Sequence, residues 1–74
     1  MDTKVLRELL KSSPFSPFHI KMVSGERYDV VHPDFLLVPP KGNYMILAKD
    51  DGGFNWINSL LIEKIECARE PASD

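Results

Sequence analysis

The stretch from Phe15 to Phe35, FSPFHIKMVSGERYDVVHPDF, decides the fold of this chain. Its first half alternates apolar and polar residues over 18–22, which predicts a strand with one buried face. Ser24-Gly25 interrupts the run, and alternation resumes at Tyr28 and Val30, as expected when a tight turn folds a second strand onto the first. The stretch therefore predicts an antiparallel β-hairpin.

The four residues from His32 to Phe35 predict a corner at the end of the second strand. Pro33 has no amide hydrogen to donate to a sheet, and it holds His32 in an extended conformation. Asp34 is expected to accept backbone amide hydrogens in a turn, and Phe35 is expected to enter the core. On this interpretation Asp34→Ala and Phe35→Ala destabilise the chain more than His32→Ala does. The alternative is a binding or catalytic site built on an imidazole–carboxylate pair of His32 and Asp34.

Residues 3–12 precede the hairpin and have the spacing of an amphipathic helix, since apolar side chains recur at Leu6, Leu9 and Leu10. Asp2 or Thr3 can cap its start. Ser12-Ser13-Pro14 ends it, because the residue before a proline avoids helical dihedral angles. A helix of this length is marginal alone, so it must pack on the sheet or on a partner chain.

The second half of the chain predicts short strands separated by strong turn signals. Apolar runs at 35–38 and 44–49 flank a loop at 39–43, and the turn Asp50-Asp51-Gly52-Gly53 leads into a strand with two aromatic residues. Residues 59–68 fit a helix or a strand. We favour a strand that ends at Ala68 and is entered through a single helical turn, because a small barrel needs a closing strand.

These elements predict a single domain spanning 1–74 that is mainly β (α+β), a small curled antiparallel sheet or a five-stranded barrel with one N-terminal helix. The β-rich part is predicted at 17–68 and a frayed tail at 70–74. The predicted core consists of Leu6, Leu10, Phe18, Ile20, Met22, Val30, Leu37, Ile46, Trp56, Leu61 and Ile65. A member of this set that is largely exposed would indicate an error of register or an interface.

Composition places the chain among ordinary globular domains, with 43% hydrophobic and 27% charged residues. The formal net charge of -2 argues against a protein that binds mainly by neutralising phosphates. A single cysteine cannot form an intramolecular disulfide, and no apolar run approaches the roughly 20 residues that span a bilayer. Because the start of the chain also lacks an apolar secretion core, we expect a cytoplasmic protein.

The motifs of the chain resemble a family of short, functionally uncharacterised bacterial proteins. The matching segments are Pro14-Phe15, Pro17-Phe18-His19-Ile20, Ser24-Gly25, Val31-His32-Pro33-Asp34-Phe35, Asp51-Gly52 and Leu60 to Glu66. They correspond to a family pattern of PFxPFxI, DGR, VxHPDF, DG and LLIxxIE, of which VxHPDF is the most specific part. At the first turn, residues 24–27 depart from the family's DGR. The resemblance implies no activity.

The order of elements is also similar to that of Sm-like and SH3-like small barrels, including the bacterial Sm-like RNA chaperone. Shared features are an N-terminal helix, a strand that ends in a glycine turn, a bent second strand and a short turn before the last strand. That resemblance would imply a ring-forming RNA-binding protein. The RNA-binding motifs are not matched here, however, because residues 54–56 keep only an aromatic character and residues 58–61 lack a basic loop.

We expect no catalytic residue, no cofactor and no metal site, and hence a protein that is not an enzyme. His19, His32 and Cys67 lack the paired spacing of a structural zinc site. His19 lies on the polar side of the first strand and is expected to be exposed. Cys67 alternates inward and is expected to be a small buried side chain.

Two binding functions remain. The favoured one is a protein-interaction or regulatory module, whose candidate contact residues are Tyr28, His32, Asp34, Phe54 and Trp56. The alternative is a single-stranded RNA or DNA binder of Sm-like or OB-like type, in which aromatic side chains stack on bases and Lys21 and Arg27 contact phosphates. Either function is compatible with a homo-oligomer, and burial of the same aromatic residues in the core is the simplest competing explanation.

Overall fold

The computed structural model describes residues 2–67, so predictions that fall on residues 68–74, including the strand end at Ala68 and the tail, lie outside it. Helix α1 spans Thr3–Lys11. Asp2 caps it as predicted, because the Asp2 Oδ1 atom accepts the amide hydrogen of Lys4 at 2.9 Å. Within residues 2–67 no helix is long and apolar enough to cross a membrane.

The strands follow the helix in short segments. In chain order they are β1 (Phe18–Met22), β2 (Arg27–Val30), β3 (Leu36–Leu37), β4 (Tyr44–Ala48), β5 (Phe54–Asn58) and β6 (Ile62–Cys67). Two single 3-10 turns interrupt the series, one at Pro33–Phe35 and one at Ser59–Leu61. The second of these confirms the helical turn predicted before the last strand.

The strands form two antiparallel three-stranded sheets that are not closed into a barrel. The first sheet has the order β2-β1-β6, and the second has the order β3-β4-β5. The chain passes from the first sheet to the second through Pro33–Phe35 and returns through Ser59–Leu61. The prediction of a mainly β fold with one N-terminal helix is confirmed, as a small curled α+β fold.

Glycine permits the two tight hairpin turns. Gly25 and Gly52 have φ angles of 98° and 91°, a left-handed conformation that other residues rarely adopt. In the turn between β4 and β5 the Gly52 amide donates to the Lys49 carbonyl oxygen at 3.2 Å. The Asp51 carboxylate accepts the Gly53 amide hydrogen at 2.9 Å. Both predicted hairpin turns are therefore present.

The core lies between the two sheets and beneath the helix. Its buried residues are Leu6, Phe18, Ile20, Met22, Val30, Leu36, Met45, Leu47, Ile57 and Ile62. The core prediction is confirmed for Leu6 and for the first hairpin, while Leu10, Ile46 and Ile65 are half-buried. A fully buried Leu side chain such as Leu6 stabilises the fold by about 1.5–3 kcal/mol, which holds the short helix on the sheets.

Three core predictions are wrong. Leu37, Trp56 and Leu61 are 59%, 64% and 49% exposed. In the second sheet the inward register is one residue away from the predicted one, so the residues neighbouring Leu37 and Trp56, namely Leu36 and Ile57, are buried instead. Leu61 lies in the 3-10 turn that precedes β6, and the buried position there belongs to Ile62.

Candidate interaction face

The outward side of the second sheet is apolar. One row of side chains crosses its three strands, with Leu37 paired to Ile46 and Ile46 paired to Trp56. Two flanking rows pair Ala48 with Phe54 and Tyr44 with Asn58. We call this side the aromatic face, and it consists of Leu37, Tyr44, Ile46, Ala48, Phe54, Trp56 and Asn58.

Trp56 is the centre of the aromatic face. Its ring centroid lies 6.2 Å from that of Tyr44 and 6.3 Å from that of Phe54, both in edge-to-face arrangements. Tyr44, Phe54 and Trp56 are 54%, 54% and 64% exposed. Edge-to-face contacts of this kind hold aromatic rings in defined positions. The face is therefore an ordered surface with three aromatic rings, which remain more than half open to solvent.

The sequence identified Phe54 and Trp56 as contact candidates but missed Tyr44. A signal for Tyr44 existed in the turn at 50–53, because a hairpin that pairs Ala48 with Phe54 also pairs Ile46 with Trp56 and places Tyr44 on the same side. The strong alternation of side chains in a strand then fixes the composition of the face, although it does not say which side of the sheet is inward.

No residue of the aromatic face carries a formal charge. Exposed apolar side chains scattered singly are normal, but contiguous apolar patches are rare on monomeric proteins and often mark an interaction site. The contiguous set formed by Leu37, Ile46 and the three aromatic rings is a patch of this second kind.

Tyr28 lies apart from the aromatic face. It belongs to β2 in the first sheet and is half-buried against the core. Its hydroxyl donates a hydrogen bond to Glu26 Oε1 at 3.1 Å. Loss of hydration on burial raises the pKa of Tyr28, and the hydrogen bond to the Glu26 carboxylate and its negative charge raise it further. The structure therefore does not bring Tyr28 together with Phe54 and Trp56.

The corner at His32 to Phe35 is a structural turn, but its cap is not the predicted one. The His32 Nδ1 atom accepts the Asp34 amide hydrogen at 3.1 Å, which requires a ring protonated on Nε2 only. The Asp34 side chain is 88% exposed and lies 3.8 Å from the same nitrogen. The prediction that Asp34 caps the turn is wrong, because the side-chain acceptor of the turn is the imidazole of His32 and the Asp34 carboxylate is exposed to solvent.

Phe35 occupies the inner side of this corner. It is half-buried and packs against the core, and its ring centroid lies 5.8 Å from that of His32. Phe35 is thus less deeply inserted than predicted. His32 acts on the turn through both its nitrogen and its ring.

The outward side of the first sheet is charged. We call it the charged face, and it consists of His19, Lys21, Arg27, Asp29, Glu63, Lys64 and Glu66. The His19 Nδ1 and Asp29 Oδ1 atoms are hydrogen-bonded at 2.7 Å, and the ion pairs are Lys21–Glu63 at 3.8 Å, Arg27–Asp29 at 3.8 Å and Lys64–Glu66 at 3.3 Å. The hydrogen bond from Lys64 and its positive charge lower the pKa of Glu66.

Lys21 and Arg27, the candidate phosphate contacts, both belong to this charged face. Each is ion-paired with a carboxylate, and neither lies on the sheet that carries Phe54 and Trp56. The structure therefore separates the candidate phosphate contacts from the candidate stacking residues.

His19 and Cys67 both differ from prediction. The His19 side chain is 27% exposed, because it forms a cross-strand contact with Asp29 that shields it. Cys67 is exposed rather than buried although it pairs with the buried Phe18, since it ends β6, which is an edge strand of the first sheet. Among residues 2–67 no three side chains are grouped as ligands for a metal ion, and this part of the chain forms no detectable pocket.

No protein-family model matches the chain, and neither a curated protein nor a solved structure matches it. The resemblance to a family of short bacterial proteins stays a prediction.

Proposed function

We propose that this chain is a non-enzymatic protein-interaction module and that the aromatic face is its binding surface. The observation that carries the proposal is the two-sided apolar character of the second sheet. Its inward side packs in the core through Leu36, Met45, Leu47 and Ile57, and its outward side carries Tyr44, Phe54 and Trp56, each more than half exposed.

The size of the aromatic face fits this role. An aromatic side chain presents about 150–250 Å² when fully accessible, so three rings that are each more than half exposed present roughly 300–400 Å². At about 25 cal/mol per Å², covering this area would contribute about 8–10 kcal/mol. That is comparable with the roughly 4–15 kcal/mol that association costs. Covering the rings would therefore offset much of the cost of association, and the remainder of the interface would supply the net affinity.

The charge distribution supports a protein partner rather than a nucleic acid. Binding to single strands combines aromatic stacking with basic side chains that follow the phosphates. The aromatic face has no basic residue, and Lys21 and Arg27 are engaged with carboxylates on the other sheet. His32 and Asp34 have structural positions in the corner and are not part of the proposed surface.

A capture experiment with matched variants tests the proposal. Wild-type chain, Trp56→Thr and Val23→Thr are immobilised and exposed to cell extract with and without nuclease. Threonine keeps strand propensity while removing the ring. Val23 is a suitable control because it is 62% exposed, similar to Trp56, and lies outside the second sheet.

We expect the wild type and Val23→Thr to retain the same proteins, with or without nuclease. The amount of these proteins retained by Trp56→Thr should be at least fivefold lower. Retention that is independent of Trp56 would contradict the proposed surface. Retention that disappears with nuclease would point to the nucleic-acid alternative instead.

A further inference from the structure

The aromatic face has a polar border whose charge differs between its two ends. Lys41 lies in the loop that enters β4, and Asp50 and Asp51 lie with Lys49 in the turn that leaves β4. One end therefore carries one positive charge and the other end one net negative charge. Among residues 2–67 none of these side chains forms an ion pair within the chain.

We infer that the partner of the aromatic face is a second copy of this chain, packed face to face about a two-fold axis that runs across the strands. This inference rests on the proposed function and names its partner. Two sheets pack face to face about 10 Å apart with their strands nearly aligned. An axis across the strands makes the strands of the two copies antiparallel, so Lys41 of each copy lies beside Asp50 of the other.

Charge selects this orientation. The alternative two-fold axis runs along the strands and would place Lys41 beside Lys41 and Asp50 beside Asp50, which is repulsive at both ends. The centre of the aromatic face is uncharged, so it can meet a copy of itself without burying an unpaired charge. A second copy therefore matches the face in polarity at its centre and in charge at both ends.

The available area also fits an interface between copies. A standard interface buries about 800 Å² per partner, with an apolar centre and a polar rim. The roughly 300–400 Å² of exposed aromatic surface supplies the apolar centre. Residues of the loop at 39–43 and the turn at 49–53 supply the rim. For an interface no larger than this standard size, we expect a dissociation constant on the order of micromolar or weaker.

The primary test is the molecular mass of the pure wild-type chain by sedimentation velocity, measured from about 1 μM to about 1 mM to bracket that dissociation constant. We expect a reversible monomer–dimer equilibrium. Trp56→Thr should weaken dimerisation at least tenfold, because central aromatic residues dominate interface energies. Val23→Thr should leave the equilibrium unchanged. Circular dichroism checks the fold of each variant, and Phe54→Thr replaces Trp56→Thr if the latter does not fold.

Charge reversal tests the orientation. Lys41→Asp and Asp50→Lys should each raise the dissociation constant of the dimer about two- to fivefold. In the variant that carries both changes, the dissociation constant should return to within twofold of the wild-type value. The two positions cannot compensate within one copy, because the five residues of β4 separate them by at least about 14 Å, beyond the Debye length of about 8 Å at physiological salt. Asp50 is preferred to Asp51 because Asp51 holds the turn.

Four results would overturn the inference: a chain that is monomeric at every concentration, a dimer insensitive to Trp56→Thr, an open series of oligomers, or charge variants without mutual rescue. The first of these, combined with Trp56-dependent capture of another protein, would overturn the second copy as partner and leave the proposed function standing. If neither capture nor dimerisation depended on Trp56, both the proposed function and the inference of a second copy would be overturned.

Discussion

The two sheets of this chain have similar inward sides and opposite outward sides. Each sheet has three antiparallel strands and contributes apolar side chains to one common core. The charged face of the first sheet carries a cross-strand hydrogen bond between His19 and Asp29, a cross-strand ion pair between Lys21 and Glu63, and one ion pair within each of β2 and β6. The aromatic face of the second sheet carries no charge and exposes three rings.

The difference indicates what each sheet needs in order to be stable in water. An antiparallel sheet with one apolar and one polar side is complete once its apolar side is in the core. When both sides of a sheet are apolar, a fold of this size covers only one of them, namely the side that packs in the core. The outward side of the first sheet is therefore complete in water, whereas that of the second sheet is the surface for which we propose a partner.

The largest expected effect compares two adjacent residues of β5. Ile57 is 1% exposed and Trp56 is 64% exposed. Ile57→Ala should lower the free energy of unfolding by about 3 kcal/mol, since it leaves a cavity in the core. Trp56→Ala should lower it by only about 0.5–1 kcal/mol, through loss of cross-strand contacts. Urea denaturation of dilute protein measures both values.

Ile20→Ala is the control from the first sheet, where Ile20 is 0% exposed and a loss similar to that of Ile57→Ala is expected. A larger loss for Trp56→Ala than for Ile57→Ala would reverse the register of β5 and turn the aromatic face into core.

Strands of the two sheets also show where the core could and could not be predicted from the sequence. In β1 the polar residues His19 and Lys21 separate the apolar ones, so alternation identified the inward side correctly. In β4 all five residues from Tyr44 to Ala48 are apolar or aromatic, and Leu36-Leu37 is equally uninformative. Alternation cannot choose a side when both sides are apolar. The ambiguity that defeated the core prediction is the same property that makes the second sheet a candidate binding surface.

The next largest effect concerns the corner that joins the two sheets. Phe35→Ala should destabilise by about 2 kcal/mol, because Phe35 is half-buried on the core. His32→Ala should cost about 1 kcal/mol through loss of the acceptor for the Asp34 amide, and Asp34→Ala less than about 0.5 kcal/mol. Thermal unfolding ranks the three variants.

His32→Asn is the matched control for the corner, since its side-chain oxygen can accept the same amide hydrogen and should restore most of the stability. An Asp34→Ala variant that is less stable than His32→Ala would return the capping role to Asp34. Pro33 predicted the position of this corner from sequence. The identity of the cap was not predictable, because both neighbouring side chains offer acceptors and only their geometry distinguishes them.

The smallest expected effect lies on the charged face. Lys64→Met should raise the pKa of Glu66 toward its ordinary value, because the hydrogen bond and the positive charge of Lys64 hold it down. The folded pKa is the lower one, so the stability contributed by Glu66 is present above its unfolded pKa and is lost as pH falls through its folded pKa.

Nuclear magnetic resonance titration of the Glu66 carboxyl measures this shift. Lys4→Met, on helix α1, is the control and should leave the titration of Glu66 unchanged. A Glu66 titration that is unaffected by Lys64→Met would show that this ion pair of the charged face does not persist in solution.

The most direct test of the central claim uses the fluorescence of Trp56, which is the single tryptophan of the chain. Acrylamide quenching is measured on the folded protein at nanomolar concentration and on the same protein unfolded in urea. We expect the folded, dilute chain to be quenched more than half as efficiently as the unfolded chain, in line with the 64% exposure of Trp56. Folded protein in which Trp56 resists quenching at this dilution would contradict an exposed aromatic face, because the side chain would then be part of the core.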